Sequence, residues 1–208
     1  VSCEITMHQK EVQTLYFIKK HLGGSVNPRK GKLAYRWRLH KREPIIELLN
    51  QLNGYFQTIR VQDQFAKACQ VYEIPLSAKQ SLNLETAWFA GFFSGDGSFS
   101  INVAAQFQPS LSIGQAEHQV LERIAAAVGG KVYFDKSWNG WIWWVDARSV
   151  PEIFSYFQRF SLNNPLKQAR LKSLQRFLGY LKRELHRDPA SQGRLHHFVR
   201  LFQRSSQD

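Results

Sequence analysis

Cysteine is nearly absent, at two residues in 208. Cys3 and Cys69 lie in apolar surroundings without metal-ligand spacing, so both are expected reduced and buried, and neither a disulfide framework nor a zinc site is indicated. No apolar run reaches 18 residues, which leaves no candidate membrane-spanning helix, and no signal peptide is recognisable. Acidic residues are scarce: 16 stand against 28 lysines and arginines, leaving a net charge of +12. That excess is spread over both halves of the chain, so it is not a basic tail. A folded protein this basic favours a polyanionic partner, with a plain solubility surplus as the alternative. Apolar content of 43% argues against disorder, and the length allows a substantial core in one domain or two small ones.

What the chain does have is concentrated in Trp88 to Val103, WFAGFFSGDGSFSINV. Gly91, Gly95 and Gly97 each cost about 1 kcal/mol of helix propensity against alanine, so an ordinary surface helix would not carry them. Gly91 and Gly95 stand four apart on one helical face, and with Ala90 and Ser94 they let a second backbone approach closely. Asp96 closes the run, and Gly97 is expected to leave the helix at positive φ. Phe99, Ile101 and Val103 then alternate with Ser98, Ser100 and Asn102, the period of a half-buried strand. A carboxylate at a helix C-terminus meets the unfavourable end of the dipole. It is either a solvated Asp-Gly turn or the ligand of a bound divalent cation.

Around this unit the chain reads as two copies of one pattern. In the first, Ser2–His8 is a strand, Lys10–His21 a helix stopped by Gly23-Gly24, and Ser25–Lys30 with Leu33–Lys41 a hairpin turning near Lys30-Gly31. Short helices follow at 45–52 and 61–72. In the second, a strand at 111–115 precedes a helix at 117–128, stopped by Gly129-Gly130. A hairpin follows, 131–136 and 141–147 with Asn139-Gly140 at its turn, then helices at 151–160 and 166–181. A shift of 106 residues aligns Gly23-Gly24 with Gly129-Gly130, Leu15 with Leu121, Ile18 with Ile124, and Gln9 with Gln115, as a duplicated module would. The expected divisions are 1–72 for a first repeat, 73–84 for a linker, 85–182 for a second repeat and 183–208 for a basic C-terminal extension. The second copy opens with the glycine-rich helix and its strand, whereas the first opens one strand later. The counterpart helix is therefore expected on a preceding segment or a second chain.

Phe89–Gly97, FAGFFSGDG, resembles the nine-residue signature of the LAGLIDADG homing endonucleases, and the following SFSI resembles their first strand. The resemblance implies an α+β fold of pseudo-twofold αββαββα repeats with a saddle-shaped antiparallel sheet, the first repeat incomplete at its N-terminus. It implies that two motif helices pack through Ala90, Gly91, Ser94, Gly95 and their counterparts, and that Asp96, at the eighth motif position, binds a catalytic Mg²⁺ or another divalent cation such as Mn²⁺. Ser94 stands at the sixth position, which is usually acidic.

By the same resemblance Gln9 and Gln115 match a polar position near the metal-bound water. Lys167, in a segment with Arg170, and Arg60 in the first repeat match the basic residue close to the scissile phosphates. For recognition, Arg36, Arg38 and His40 fall on one face of the first hairpin, with Arg29, Lys30 and Lys32 crowding its turn. Such a ribbon suits a major groove. The second hairpin, with Lys131, Lys136, Asn139 and Arg148, must bury tryptophans on one face. Its opposite face is expected to be mixed polar, joined by Ser98, Ser100, Asn102, Gln106 and Gln108. The basic last thirty residues contact phosphates or form a partly disordered tail. Implied partners are double-stranded DNA or group I intron RNA. The implied activities are site-specific cleavage, RNA maturation or DNA binding without cleavage, and the implied location is an organelle, mitochondrion or chloroplast.

Overall fold

The computed structural model describes residues 1–204 and divides into two compact units, Val1–Ser81 and Leu82–Asp208. Residues 205–208 of the expected basic extension lie outside the described residues.

The first unit opens with β1 (Cys3–His8), one 3₁₀ turn at Gln9–Glu11, and α1 (Val12–Leu22). It continues through β2 (Ser25–Pro28), β3 (Ala34–Leu39), α2 (Arg42–Leu52) and α3 (Ile59–Val71). The strands form an antiparallel sheet in the order β1-β3-β2. Strand alternation sends Ile5, Trp37 and Val26 to the helices and Glu4, Thr6, Arg36 and Arg38 to the open face. Leu15, Trp37, Leu39, Ile45, Phe65 and Cys69 are buried beneath it. Burial raises the thiol pKa of both cysteines, Cys3 and Cys69, and both are free.

The second unit runs α4 (Trp88–Asp96), β4 (Gly97–Asn102), β5 (Gln108–Gln115), α5 (His118–Val128), β6 (Lys131–Asp135) and β7 (Gly140–Asp146). Helices α6 (Glu152–Arg159), α7 (Pro165–Lys182) and α8 (Pro189–Arg204) complete it. Its sheet has the antiparallel order β4-β5-β7-β6. Three of these strands, β5-β7-β6, repeat the order β1-β3-β2, and β4 has no counterpart among the described residues.

The duplication is visible atom by atom. Gly23 and Gly129 end their helices at φ +73° and +92°, where a side chain would be strained. Their carbonyls accept the indole N–H of Trp37 and Trp143, each at 2.8 Å. A Cβ on the next glycine would meet backbone in both copies, 2.5 Å from the Arg38 carbonyl oxygen at Gly24 and 2.7 Å from that of Trp144 at Gly130.

Two segments differ from expectation. The stretch expected as a linker is strapped to the first unit as far as Gln80. Asn53 donates to the Pro75 carbonyl at 2.8 Å and accepts from the Ser77 N–H at 2.9 Å, while the Gln80 N–H donates to the Gly54 carbonyl at 2.8 Å. Nor are residues 189–204 a loose tail. Asp188 accepts from the Ala190 N–H and the Ser191 hydroxyl ahead of α8. Leu195, Val199 and Phe202 of α8 are buried in the core of the second unit, each contributing about 1.5–3 kcal/mol.

Candidate active site

The site is built at the C-terminal end of α4. This helix is short and glycine-bearing, and tertiary contacts stabilise it. Phe89 and Phe93 are fully buried, Phe89 packing against Trp143, Tyr156 and Phe157. Ala87 at the N-cap offers no side-chain acceptor. Tyr156 from α6 serves that end instead, its hydroxyl accepting from the Ala90 N–H and donating to the Thr86 carbonyl, both at 2.9 Å. Burial raises the pKa of this phenol, so it stays a neutral donor. Tyr156 was not singled out from the sequence, since an aromatic in an apolar stripe reads as core.

The four small residues expected at a helix–helix seam divide into two pairs. Ala90 and Ser94 are buried, and the Ser94 hydroxyl donates back to the Ala90 carbonyl at 2.7 Å. Gly91 and Gly95 are exposed, and a Cβ on either would meet nothing within 4 Å. Gly97 corrects the expectation of positive φ: it has φ −72° and opens β4 directly. Its role is steric, because a Cβ there would fall 2.3 Å from Cγ of Phe93.

At the helix end the Lys167 ammonium donates to the Gly95 carbonyl at 2.6 Å and the Phe93 carbonyl at 3.2 Å. A cation on these carbonyls offsets the negative end of the helix dipole, which lets the chain place Asp96 there. Lys167 is itself fixed near the start of α7, where Asn164, 1% exposed, caps the Leu166 and Lys167 N–H groups. Gln115, last residue of β5, donates its Nε2 to Asp96 Oδ2 at 2.6 Å. The fold thus brings Asp96, Gln115 and Lys167 around one helix terminus. Among the described residues no group of three or more His, Cys, Asp and Glu converges on a metal position. One exposed carboxylate fits a hard cation completed by phosphate oxygens and water, rather than a cage made by protein alone.

Other expected site residues are placed differently. Arg170 turns inward, its guanidinium donating to the Phe99 carbonyl at 2.6 Å and the Phe202 carbonyl at 3.0 Å, over the Phe202 ring. Burial lowers its pKa. Gln9 lies in the 3₁₀ turn after β1, exposed. Arg60 is exposed in the first turn of α3, but the 106-residue shift pairs it with Leu166 and pairs Lys167 with Val61.

On the open sheet faces, Arg36 and Arg38 both reach the Glu4 carboxylate at 3.0 Å. His40 lies just beyond β3, and Arg29, Lys30 and Lys32 occupy the hairpin loop. Ser98, Ser100 and Asn102 are exposed along β4; Ser100 shares a 2.7 Å hydrogen bond with Ser110. Gln108 opens β5 and donates to Asp146, which also pairs with Arg148 at 2.6 Å. Burial alone would raise the Asp146 pKa, but hydrogen bonds from Arg148 and Gln108 outweigh it and hold the carboxyl below its usual value. Gln106 is not on a strand but in the preceding turn at φ +52°. Lys131 begins β6, and Lys136 and Asn139 sit in the loop before β7, Asn139 at φ +57°. The second hairpin fully buries one tryptophan, Trp143, and its opposite face carries aromatics as well as polar groups.

Residues 89–183 match the model of the LAGLIDADG endonuclease family. With the strand order, the duplicated glycine stops and the acid-ended helix, this places the chain in the LAGLIDADG family. It is 32% identical over 181 residues, 85% of its length, to the intron-encoded RNA maturase bI4 of Saccharomyces cerevisiae. It is 28% identical over 189 residues, 83% of its length, to the "probable intron-encoded endonuclease aI2" of Debaryomyces hansenii. The chain spans 28% of the length of each of these two relatives. Among solved structures, the I-LtrWI LAGLIDADG homing endonuclease bound to target DNA shares the fold with a TM-score of 0.80 at 16% identity. That match covers 95% of this chain and 85% of the other. No helix among the described residues is long and apolar enough to cross a membrane.

Proposed function

We propose that this chain supplies one catalytic half-site of a divalent-metal-dependent endonuclease for a long double-stranded DNA target. The observation that carries this reading is the convergence of Asp96, Gln115 and Lys167 on the end of α4. Asp96 has one oxygen held by Gln115, which aims the carboxylate. A divalent cation such as Mg²⁺ or Mn²⁺, held by Asp96, would acidify a bound water and neutralise charge on the scissile phosphate. The side-chain carbonyl of Gln115, opposite its donated Nε2–H, can accept from the attacking water and orient it. The Lys167 ammonium brings positive charge to the same end, where a phosphate group gathers negative charge. Gly91 and Gly95 offer an outward face smooth enough for a second small-residue helix carrying the other acid. That helix would come from another segment or another chain.

The polar sheet faces provide recognition. Arg36 and Arg38 suit guanine edges or phosphates, and Ser98, Ser100, Asn102 and Gln108 offer neutral donors and acceptors. Intron-encoded relatives favour an organellar location, mitochondrion or chloroplast. The test is cleavage of a plasmid carrying the joined exons that flank the host intron, with Mg²⁺ and the full-length protein. Linear product from wild type and none from Asp96→Asn is expected. No linear product from wild type would defeat the reading.

A second reading, an RNA maturase for a group I intron, is favoured by the similarity to the yeast maturase over most of this chain. Splicing of the host intron in an Asp96→Asn background separates the two activities. Splicing that survives without cleavage assigns the two activities to different surfaces.

A further inference from the structure

The open face of the second sheet is divided along its length. Its β4–β5 side carries serine, asparagine and glutamine, whereas its β6–β7 side is aromatic. Strand register puts Lys131, Trp144 and Ser112 in one row and Tyr133, Ile142 and Gly114 in the next, all facing away from the buried core. Tyr133 is 41% exposed. Trp138, 45% exposed in the loop between β6 and β7, lies over the same face. A Cβ on Gly140 would fall 2.2 Å from its ring, and one on Gly114 3.3 Å from it. Neither glycine is at positive φ, so both are explained by the room they leave for that indole. Lys131 lies 5.1 Å above the Trp144 ring, and Lys136 is exposed in the loop.

The first repeat shows how unusual this is. At the positions 106 residues earlier, Trp144 is replaced by Arg38, Ile142 by Arg36, Tyr133 by Asn27 and Trp138 by Lys32. One region of the fold thus presents two arginines, a lysine and an asparagine in one repeat, and three aromatic rings with Ile142 in the other. Groove edges of duplex DNA are read by hydrogen-bonding side chains. Flat aromatic faces beside cations instead suit bases that are already unpaired.

We propose that the β6–β7 half of this sheet, centred on Tyr133 and Trp138, is a stacking platform for two or three unpaired nucleotides of a single-stranded nucleic acid. Lys131 and Lys136 engage its phosphates. The inference rests on the nucleic-acid reading above and assigns to one part of the interface a substrate form which that reading does not require.

The test is fluorescence anisotropy with labelled oligo(U), oligo(dT) and a duplex of mixed sequence, for wild type, Tyr133→Leu and Trp138→Phe. Tyr133→Leu keeps apolar bulk at an exposed position, and Trp138→Phe keeps a π-face. Wild type is expected to bind a single strand. Tyr133→Leu should lose roughly 5- to 100-fold of that affinity, as for one stacked base, with duplex binding within twofold of wild type. Trp138→Phe should retain most of the single-strand affinity. Preference for oligo(U) over oligo(dT) marks RNA as the source of the strand; the reverse marks displaced DNA. Unchanged single-strand binding by Tyr133→Leu, or equal losses on single strand and duplex, would overturn the platform. Wild type that binds duplex but no single strand also overturns it alone. Binding to neither overturns the nucleic-acid reading itself.

Discussion

Gly97 lies against the ring of Phe93, so close that a Cβ on the glycine would sit 2.3 Å from Cγ of the ring. Phe93 is fully buried and packs on Phe99 and Phe157, so the ring has nowhere to retreat. Helix α4 therefore passes into β4 with no intervening loop, and Asp96 is placed at the join. Gly97→Ala is expected to cost about 1–3 kcal/mol by overpacking, read as a lower urea midpoint. Gly91→Ala, whose Cβ meets nothing within 4 Å, should leave stability unchanged or raise it by about 1 kcal/mol. A Gly91→Ala loss as large as that of Gly97→Ala would contradict this packing.

The Trp37–Gly23 and Trp143–Gly129 hydrogen bonds are the same interaction in two repeats. Replacing either indole by phenylalanine leaves a glycine carbonyl without its donor and opens space in a core. Each change should cost about 1–3 kcal/mol. Urea denaturation of both single variants and the double variant measures it, and two very unequal costs would show that the repeats do not depend on the contact alike.

Lys167 has a structural and a chemical role that separate on substitution. Lys167→Met removes the ammonium from the Gly95 and Phe93 carbonyls and should destabilise α4 by about 0.5–2 kcal/mol. Lys167→Arg should restore much of that stability. In the endonuclease reading, Lys167→Met also lowers cleavage under conditions where the variant remains fully folded. Full cleavage by folded Lys167→Met would limit the residue to capping.

Asp146 gives a pH dependence of known sign. Its folded-state pKa is depressed: burial opposes ionisation, but Arg148 and Gln108 outweigh it. The stabilisation is therefore complete above the unfolded carboxyl value of about 3.9 and is lost as pH falls through the lower folded value. Thermal melting between neutral and strongly acid pH should show a shallower acid slope for Asp146→Asn than for wild type. Identical slopes would remove Asp146 as a contributor.

Much of this could be read from residues alone where the physics is local. Gly23-Gly24 and Gly129-Gly130 announced helix stops, alternation announced strands, and the small-residue run ending at Asp96 announced a packed helix with an acid at its end. What escaped depends on distant partners. The reason for Gly97 is a ring four residues earlier, held in place by Phe157 more than fifty residues later. Tyr156 caps α4 from 66 residues away, and no periodicity signals that. Arg170 reads as a surface cation until its two carbonyl acceptors and the Phe202 ring are seen. The packing of α8 did leave a signal. Leu195, Val199 and Phe202 are spaced four and three apart on one helical face, among enough charge to pass for a solvated tail.

The strap from Pro75 to Gln80 bears on how the gene could be divided. Truncation at residue 72 would strip Asn53 and Gly54 of their backbone partners at Pro75, Ser77 and Gln80. Severance after Ser81 keeps them all. Anyone excising this module to graft, fuse or crystallise it alone should cut at that later point, because a loop by composition is here a buckle by bonding.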